Sequence, residues 1–145
     1  MSQLHVICRI GDSEYAIPAD EVFQMENFTV ATPVPGAPSY VTGLIQVRQK
    51  IIPVLDARKR FGLPEIPVTG ESRVVVLKLS ERLVGLVVDS AREVQNISPE
   101  IFKAPPEIIA RQSEGFVKAV ANFKERIIML LDTLKIVGEE FEHAK

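Results

Sequence analysis

A segment of 23 residues is written twice in this chain. Residues 40–62, YVTGLIQVRQKIIPVLDARKRFG, align without a gap on residues 116–138, FVKAVANFKERIIMLLDTLKIVG, and seven positions are identical, among them Ile51/Ile127, Ile52/Ile128, Leu55/Leu131, Asp56/Asp132 and Gly62/Gly138. A weaker likeness extends upstream: VICRIGDSEYAI (6–17) runs beside VVLKLSERLVGL (75–86), and EVFQM (21–25) echoes EVQNI (93–97). A repeat of this length means one structural plan folded twice, and it restricts the architecture more than any single motif does.

The plan reads as β. Alternating apolar residues run into a polar turn, Gly11-Asp12-Ser13 in one copy and Ser80-Glu81-Arg82 in the other, and a second β-rich run follows. Each copy then crosses a proline-bearing connection, with Pro33, Pro35 and Pro38 in the first and Pro99, Pro105 and Pro106 in the second. A second hairpin follows, and each copy closes with a short helix. Asp56 and Asp132 stand where an N-cap accepts backbone N–H bonds, and Gly62 and Gly138 stand where a helix ends in a left-handed residue. The expected fold is all-β with a few short helices: two tandem-duplicated small β-barrel (SH3-like) subdomains packed together. As one domain over 1–145, its halves are expected at about 1–62 and 73–138, with connector 63–72 and a C-terminal tail 139–145. Each half is of a size at which burial alone is marginal, so the two are expected to share an apolar interface, with a groove between them for a partner.

The chemistry of an enzyme is hard to find here. The histidines, His5 and His143, lie near opposite ends and read as surface residues; Asp56 and Asp132 read as caps, and Asp89 as the turn ending its strand. No catalytic triad, metal-ligand or phosphate-loop spacing occurs, so no catalytic, cofactor or metal residue is assigned. The single cysteine, Cys8, excludes an internal disulfide and reads as buried filler. A rival reading is a barrel that binds single-stranded nucleic acid through Arg48, Lys50, Arg58, Lys59 and Arg60. Against it, the net charge is −2, tryptophan is absent, and Tyr15, Tyr40, Phe61 and Phe116 sit in apolar contexts that read as core. With no leader-like N-terminus and no apolar run of membrane-spanning length, a cytosolic location without membrane insertion is expected. The halves also differ: the first closing helix carries Arg58-Lys59-Arg60 where the second carries Leu134-Lys135-Ile136, which suits an adaptor with two unlike faces.

From Val6 to Gly138 the sequence resembles the chemotaxis coupling proteins, the CheW-like family. The pattern G-x4-R-x4-P-V-x-D-x-R carries the resemblance, here Gly43, Arg48, Pro53, Val54, Asp56 and Arg58, supported by GDSEYAIPADEVFQM, VGLVVDSAREV and the PP-containing connection. The resemblance implies a non-enzymatic adaptor, without cofactor, that joins the tips of methyl-accepting chemotaxis receptors to the regulatory domain of a chemotaxis histidine kinase. It would be a monomer alone and part of a larger array at the inner face of the membrane. On matching positions it implies receptor contact at Val22, Met25, Arg48 and Gly85, and kinase contact at Thr42, Gln49, Lys50 and, in the second half, Ile108. The chain departs from the family at Gln24, where an acid is common, and at Gln46 and Gln49, where Asn and Gly are common. A side chain at position 49 matters only where the turn needs positive φ, and the equivalent Glu125 suggests a turn that does not.

Overall fold

The computed structural model describes residues 3–138. The strands are β1 (Gln3–Ile10), β2 (Ser13–Pro18), β3 (Val22–Asn27), β4 (Val41–Val47), β5 (Lys50–Asp56), β6 (Arg73–Leu79), β7 (Arg82–Val88), β8 (Ser90–Ile97), β9 (Val117–Phe123) and β10 (Arg126–Leu131). The helices are α1 (Ala57–Arg60), α2 (Glu107–Gln112) and α3 (Thr133–Val137), with 3-10 turns at Ala19–Glu21 and Pro99–Ile101. Both predicted N-caps are made: the Asp56 carboxylate accepts from the Arg58 and Lys59 N–H groups, and Asp132 accepts from that of Lys135. Gly62 and Gly138 follow with φ of 75° and 90°. The tail, with His143, lies outside the described residues.

The strands form two five-stranded sheets, β8-β1-β2-β10-β9 and β3-β6-β7-β5-β4. Exchanging each first-half strand for its counterpart (β1 for β6, through β5 for β10) turns one order into the other, so the written repeat is a pseudo-twofold in space. The sheets do not follow the halves, however. Each leading hairpin is inserted into the sheet built by the other half: β1–β2 between β8 and β10, and β6–β7 between β3 and β5. The joints at β2/β10 and β5/β7 are parallel, and those at β1/β8 and β3/β6 are antiparallel.

A β-bulge recurs at equivalent places. Phe23 is skipped between Val22↔Leu77 and Gln24↔Val76, and Arg92 is skipped between Ala91↔Cys8 and Glu93↔Ile7. Met25 therefore corresponds to Val94, which shifts the sequence pairing of EVFQM with EVQNI by three residues. A bulge turns one side chain off the regular alternation, and two-residue periodicity cannot locate it.

Three apolar clusters form the core. The largest lies between the sheets, with Val6, Cys8 and Ile10 of β1 meeting Val75 and Leu77 of β6, and with Leu55 and Leu131 from the paired repeat segments. Each sheet has a smaller cluster of its own, Ile45, Val47, Ile52, Val54, Val74 and Val76 in one and Ile7, Ala16, Ile97 and Ile128 in the other. Strand β1 is buried on both faces. This corrects the surface reading of His5, which is 2% exposed, donates from Nδ1 to the Gln3 carbonyl at 2.9 Å and lies against Phe102. Cys8 is buried as expected, and desolvation pushes its thiol up to about 12, which leaves it unreactive near neutrality.

The sheets are rolled but not closed. The segment leaving β3 touches the opposite edge strand, where Thr32 and Leu44 exchange two backbone hydrogen bonds of 2.9 and 2.8 Å. Lys103 and Val120 do the same in the other sheet, at 2.8 Å each. Each is an isolated bridge and not a ladder, so the barrels are open. Prolines 33, 35 and 38 follow Thr32, and without N–H groups they cannot extend the bridge.

Both repeat hairpins turn through positive φ, which corrects the expectation for position 49. Arg48 and Gln49 have φ of 48° and 70°, and Lys124 and Glu125 have 52° and 65°. Such turns match the twist of the strands and favour glycine at the second position. Gln49→Gly and Glu125→Gly are each expected to stabilise the fold by about 0.5–1 kcal/mol, read as a higher denaturation midpoint at unchanged m-value.

Candidate partner-binding surface

Most of the signature pattern is spent on holding the fold. Gly43 has φ of 143°, and a Cβ there would stand 2.1 Å from the Thr32 carbonyl oxygen, so only glycine allows the Thr32–Leu44 bridge. Asp56 caps α1. The Arg58 guanidinium forks onto Asp89, with Nε to Oδ1 at 3.0 Å and Nη2 to Oδ2 at 3.0 Å, and Nη1 donates to the Pro64 carbonyl. Asp89 also accepts from the Gly11 N–H at 2.9 Å and bonds its own N–H to the Arg9 carbonyl, which joins the end of β7 to the β1–β2 turn of the other sheet. Its expected place after β7 is right, and its role as a clamp between sheets is additional.

The rest of the basic cluster is engaged too. Arg60 lies 4.2 Å over the Tyr40 ring and 5.0 Å from that of Phe116, and its Nε donates to the Ile136 carbonyl at 2.6 Å. Burial lowers the pKa of this guanidinium. Lys59 pairs with Glu65 at 3.2 Å. These contacts correct the picture of a basic outer face on α1: two of its three cations tie the first helix to the second half or the opposite sheet.

Arg48 is different. It stands at the β4–β5 tip, its guanidinium 5.1 Å from the centroid of the Phe23 ring on β3, the opposite edge of the same rolled sheet. Among the described residues no carboxylate pairs with it, whereas Arg58, Arg92, Arg111 and Arg126 each have one. Phe23 is 38% exposed and Met25 40%, and Val22 beside them is half-buried. An exposed cation–π contact is worth about 0.5–1 kcal/mol, so a carboxylate offered in a water-poor interface outcompetes it. The geometry presents a forked cation beside an apolar edge, the composition of an interface anchor.

At the equivalent tip of the other sheet, the Arg48 counterpart Lys124 lies 5.1 Å from the Phe123 ring, and the arginine there, two residues on, is tied down. Arg126, equivalent to Lys50, donates to Glu14 at 3.0 and 2.7 Å and to Glu93 at 3.2 and 2.9 Å, clasping β2, β8 and β10. The corresponding positions of the other sheet are Leu83 and Gln24, which cannot form it. There Gln24 Nε2 donates to Glu26, and its buried Oε1 has no partner among the described residues. The hydrogen bond from Gln95, and then that from Arg126, lowers the Glu93 pKa. A depressed carboxylate stabilises the fold above its unfolded pKa and loses that contribution as pH falls through the folded value. Arg126→Met is therefore expected to cost about 1 kcal/mol near pH 7, held to that size by solvent screening. The gap from wild type should shrink below about pH 4, the range where carboxylates protonate, in denaturant melts run across pH.

The structure brings some of the sequence-predicted residues together and separates others. Arg48, Gln49 and Lys50 share the tip, next to Phe23. Gly85 is buried on β7, where a Cβ would meet Val74 Cγ1 at 2.9 Å and Val54 Cγ2 at 3.2 Å, so it sets packing beneath the surface. Thr42 donates to the Val54 carbonyl at 3.1 Å and lines a hollow of about 200 Å³ with Ile66 and Val68. It lies at the other end of β4 from Gln49 and Lys50, about 17 Å away along the strand. Ile108 is 58% exposed on α2, against β9 of the other sheet. A hollow of about 370 Å³ does open where the halves meet, lined by Tyr15, Phe61 and Ile109, but none of Val22, Met25 or Arg48 lines it. Sequence reasoning missed Phe23, because the bulge that exposes it leaves no periodic signal, and it missed α2. Among the described residues no helix is long and apolar enough to cross a membrane, and no group of three or more His, Cys, Asp or Glu side chains could hold a metal ion.

Comparison with known proteins agrees with this geometry. Residues 5–141 match the CheW-like domain. The chain is 27% identical to the chemotaxis protein CheW of Bacillus subtilis over 93% of its own length and 86% of that protein's, and 29% identical to CheW of Rhizobium meliloti, covering 94% and 88%. Its structure superposes on the crystal structure of the scaffolding protein TtCheW from Thermoanaerobacter tengcongensis with a TM-score of 0.85 at 26% identity, over 94% of this chain and 88% of that one. The duplicated, hairpin-exchanged fold and the match across nearly the whole described chain place this protein in the CheW-like family of chemotaxis scaffolds.

Proposed function

We propose that the chain is a non-enzymatic adaptor coupling the cytoplasmic tip of a chemoreceptor to the regulatory domain of a chemotaxis histidine kinase, in arrays at the inner face of the membrane. The observation that carries this reading is Arg48: among the described residues it has no carboxylate partner, unlike Arg58 of the same signature, and it stands beside the exposed Phe23 and Met25. Val22, Met25 and Arg48 form the receptor surface, with Gly85 behind it setting the strand spacing. Thr42 at one end of β4 and Gln49 and Lys50 at the other form the kinase surface. Ile108, on the opposite sheet, is the contact to a neighbouring kinase.

The nucleic-acid reading loses its support, because Arg58, Lys59 and Arg60 are occupied inside the protein and Tyr40 and Phe116 are covered by Arg60. Titration of the intact protein with a receptor-tip fragment, a kinase regulatory domain and a single-stranded oligonucleotide separates the readings. Binding to both proteins and not to the oligonucleotide is expected. Tight, salt-sensitive oligonucleotide binding without protein binding overturns the proposal.

A further inference from the structure

Neither half of this chain can satisfy its own strands. Of the ladders that hold the sheets, β1/β8, β2/β10, β3/β6 and β5/β7 all join one half to the other. The covalent link between the halves is the ten-residue connector Leu63–Ser72, which contributes no strand. Residues 64–71 are exposed, held by the Lys59–Glu65 and Arg92–Glu71 ion pairs and by the bond from Arg58 to Pro64. Extended, ten residues reach roughly 33–36 Å, enough to run between two neighbouring bodies. Nothing in the ladders or in the shared core depends on which chain supplies the second half.

We propose that a second copy of this chain is a partner, and that the pair exchanges whole halves across the connector. The dimer consists of two bodies, each with residues 3–62 of one chain and 73–138 of the other. It reuses the half-to-half interface already present in the monomer and needs no new surface. A short flexible link gives the chain's own halves an effective concentration on the order of millimolar, so the monomer prevails in dilute solution and the dimer forms when folding occurs at comparable chain concentration. Once formed it separates slowly, because the four ladders of each body must open first.

Two full-length variants test this by complementation. Leu55 and Leu131 occupy equivalent positions in the shared core, both 0% exposed, so Leu55→Asp disables the first half and Leu131→Asp the second. Each alone should lack the dispersed amide spectrum of a native sheet. Unfolded, mixed and refolded together, the pair should recover native dispersion for up to about half of the total chain, in a particle of twice the monomer mass. A mixture that equals the sum of its parts overturns the proposal. A second arm uses wild-type chains, isotopically light and heavy, unfolded, mixed and refolded at about 1 mM. Native mass spectrometry should find dimers of mixed mass that persist for hours after dilution; refolding only to monomer contradicts the exchange even where a core variant keeps some structure.

Discussion

Gly43→Ala should lower stability by about 3 kcal/mol, a fall in Tm of roughly 10 °C for a chain of this size. The new Cβ would lie 2.1 Å from the Thr32 oxygen, 2.6 Å from its carbonyl carbon and 3.1 Å from Pro33 N. All three are backbone atoms, so no side-chain rotation relieves the clash. Relief requires the two Thr32–Leu44 hydrogen bonds to open, each worth about 1 kcal/mol, and the positive φ adds about 1 kcal/mol for any residue with a side chain. The second half contains its own control. Ala119 occupies the equivalent position, and the Lys103–Val120 bridge forms beside it, so the glycine requirement belongs to this one close approach and not to the fold in general. A loss under about 0.5 kcal/mol in thermal and denaturant melts, within the range of an ordinary surface substitution, contradicts the account of how the sheet is held rolled.

Arg48→Glu should weaken receptor-tip binding at least about 100-fold and leave the circular dichroism spectrum unchanged. The asymmetry follows from what the side chain touches. Inside the protein it loses only the contact with Phe23, about 0.5–1 kcal/mol. At the interface, truncating one member of a buried charge pair costs about 2–5 kcal/mol, and reversing the charge adds like-charge repulsion. Arg48→Lys keeps the charge without the fork and should fall between the two. Unchanged receptor affinity in a correctly folded Arg48→Glu protein removes this residue from the site.

The duplication, the hairpins, both aspartate caps and the aromatic core were legible in the sequence because each rests on local pattern: identity at fixed offset, alternation before a turn, and Asp–Gly brackets around a short helix. The exchange of hairpins was not, since β1–β2 carries the same apolar pattern whichever half it pairs with. His5 was misread because alternation identifies a strand with one buried face, while β1 is buried on both. The clasp of Arg126 on Glu14 spans 112 residues and the clamp of Arg58 on Asp89 spans 31, distances at which sequence spacing says nothing about contact. Of the site, the signature pattern led to Arg48, but only the structure separates it from Arg58, since both are arginines in the same motif and one is consumed by Asp89. Thr42 and Gln49, grouped by the resemblance as kinase contacts, are held at opposite ends of β4.

The proposed adaptor role requires one molecule to hold two different proteins at once through separate surfaces. Size-exclusion chromatography with light scattering, on the wild-type chain mixed with a receptor-tip fragment and a kinase regulatory domain, measures this directly. A single particle containing all three components, lost with Arg48→Glu while the kinase pair remains, is the expected result. Receptor and kinase fragments that displace one another, or a chain that binds neither, would contradict it.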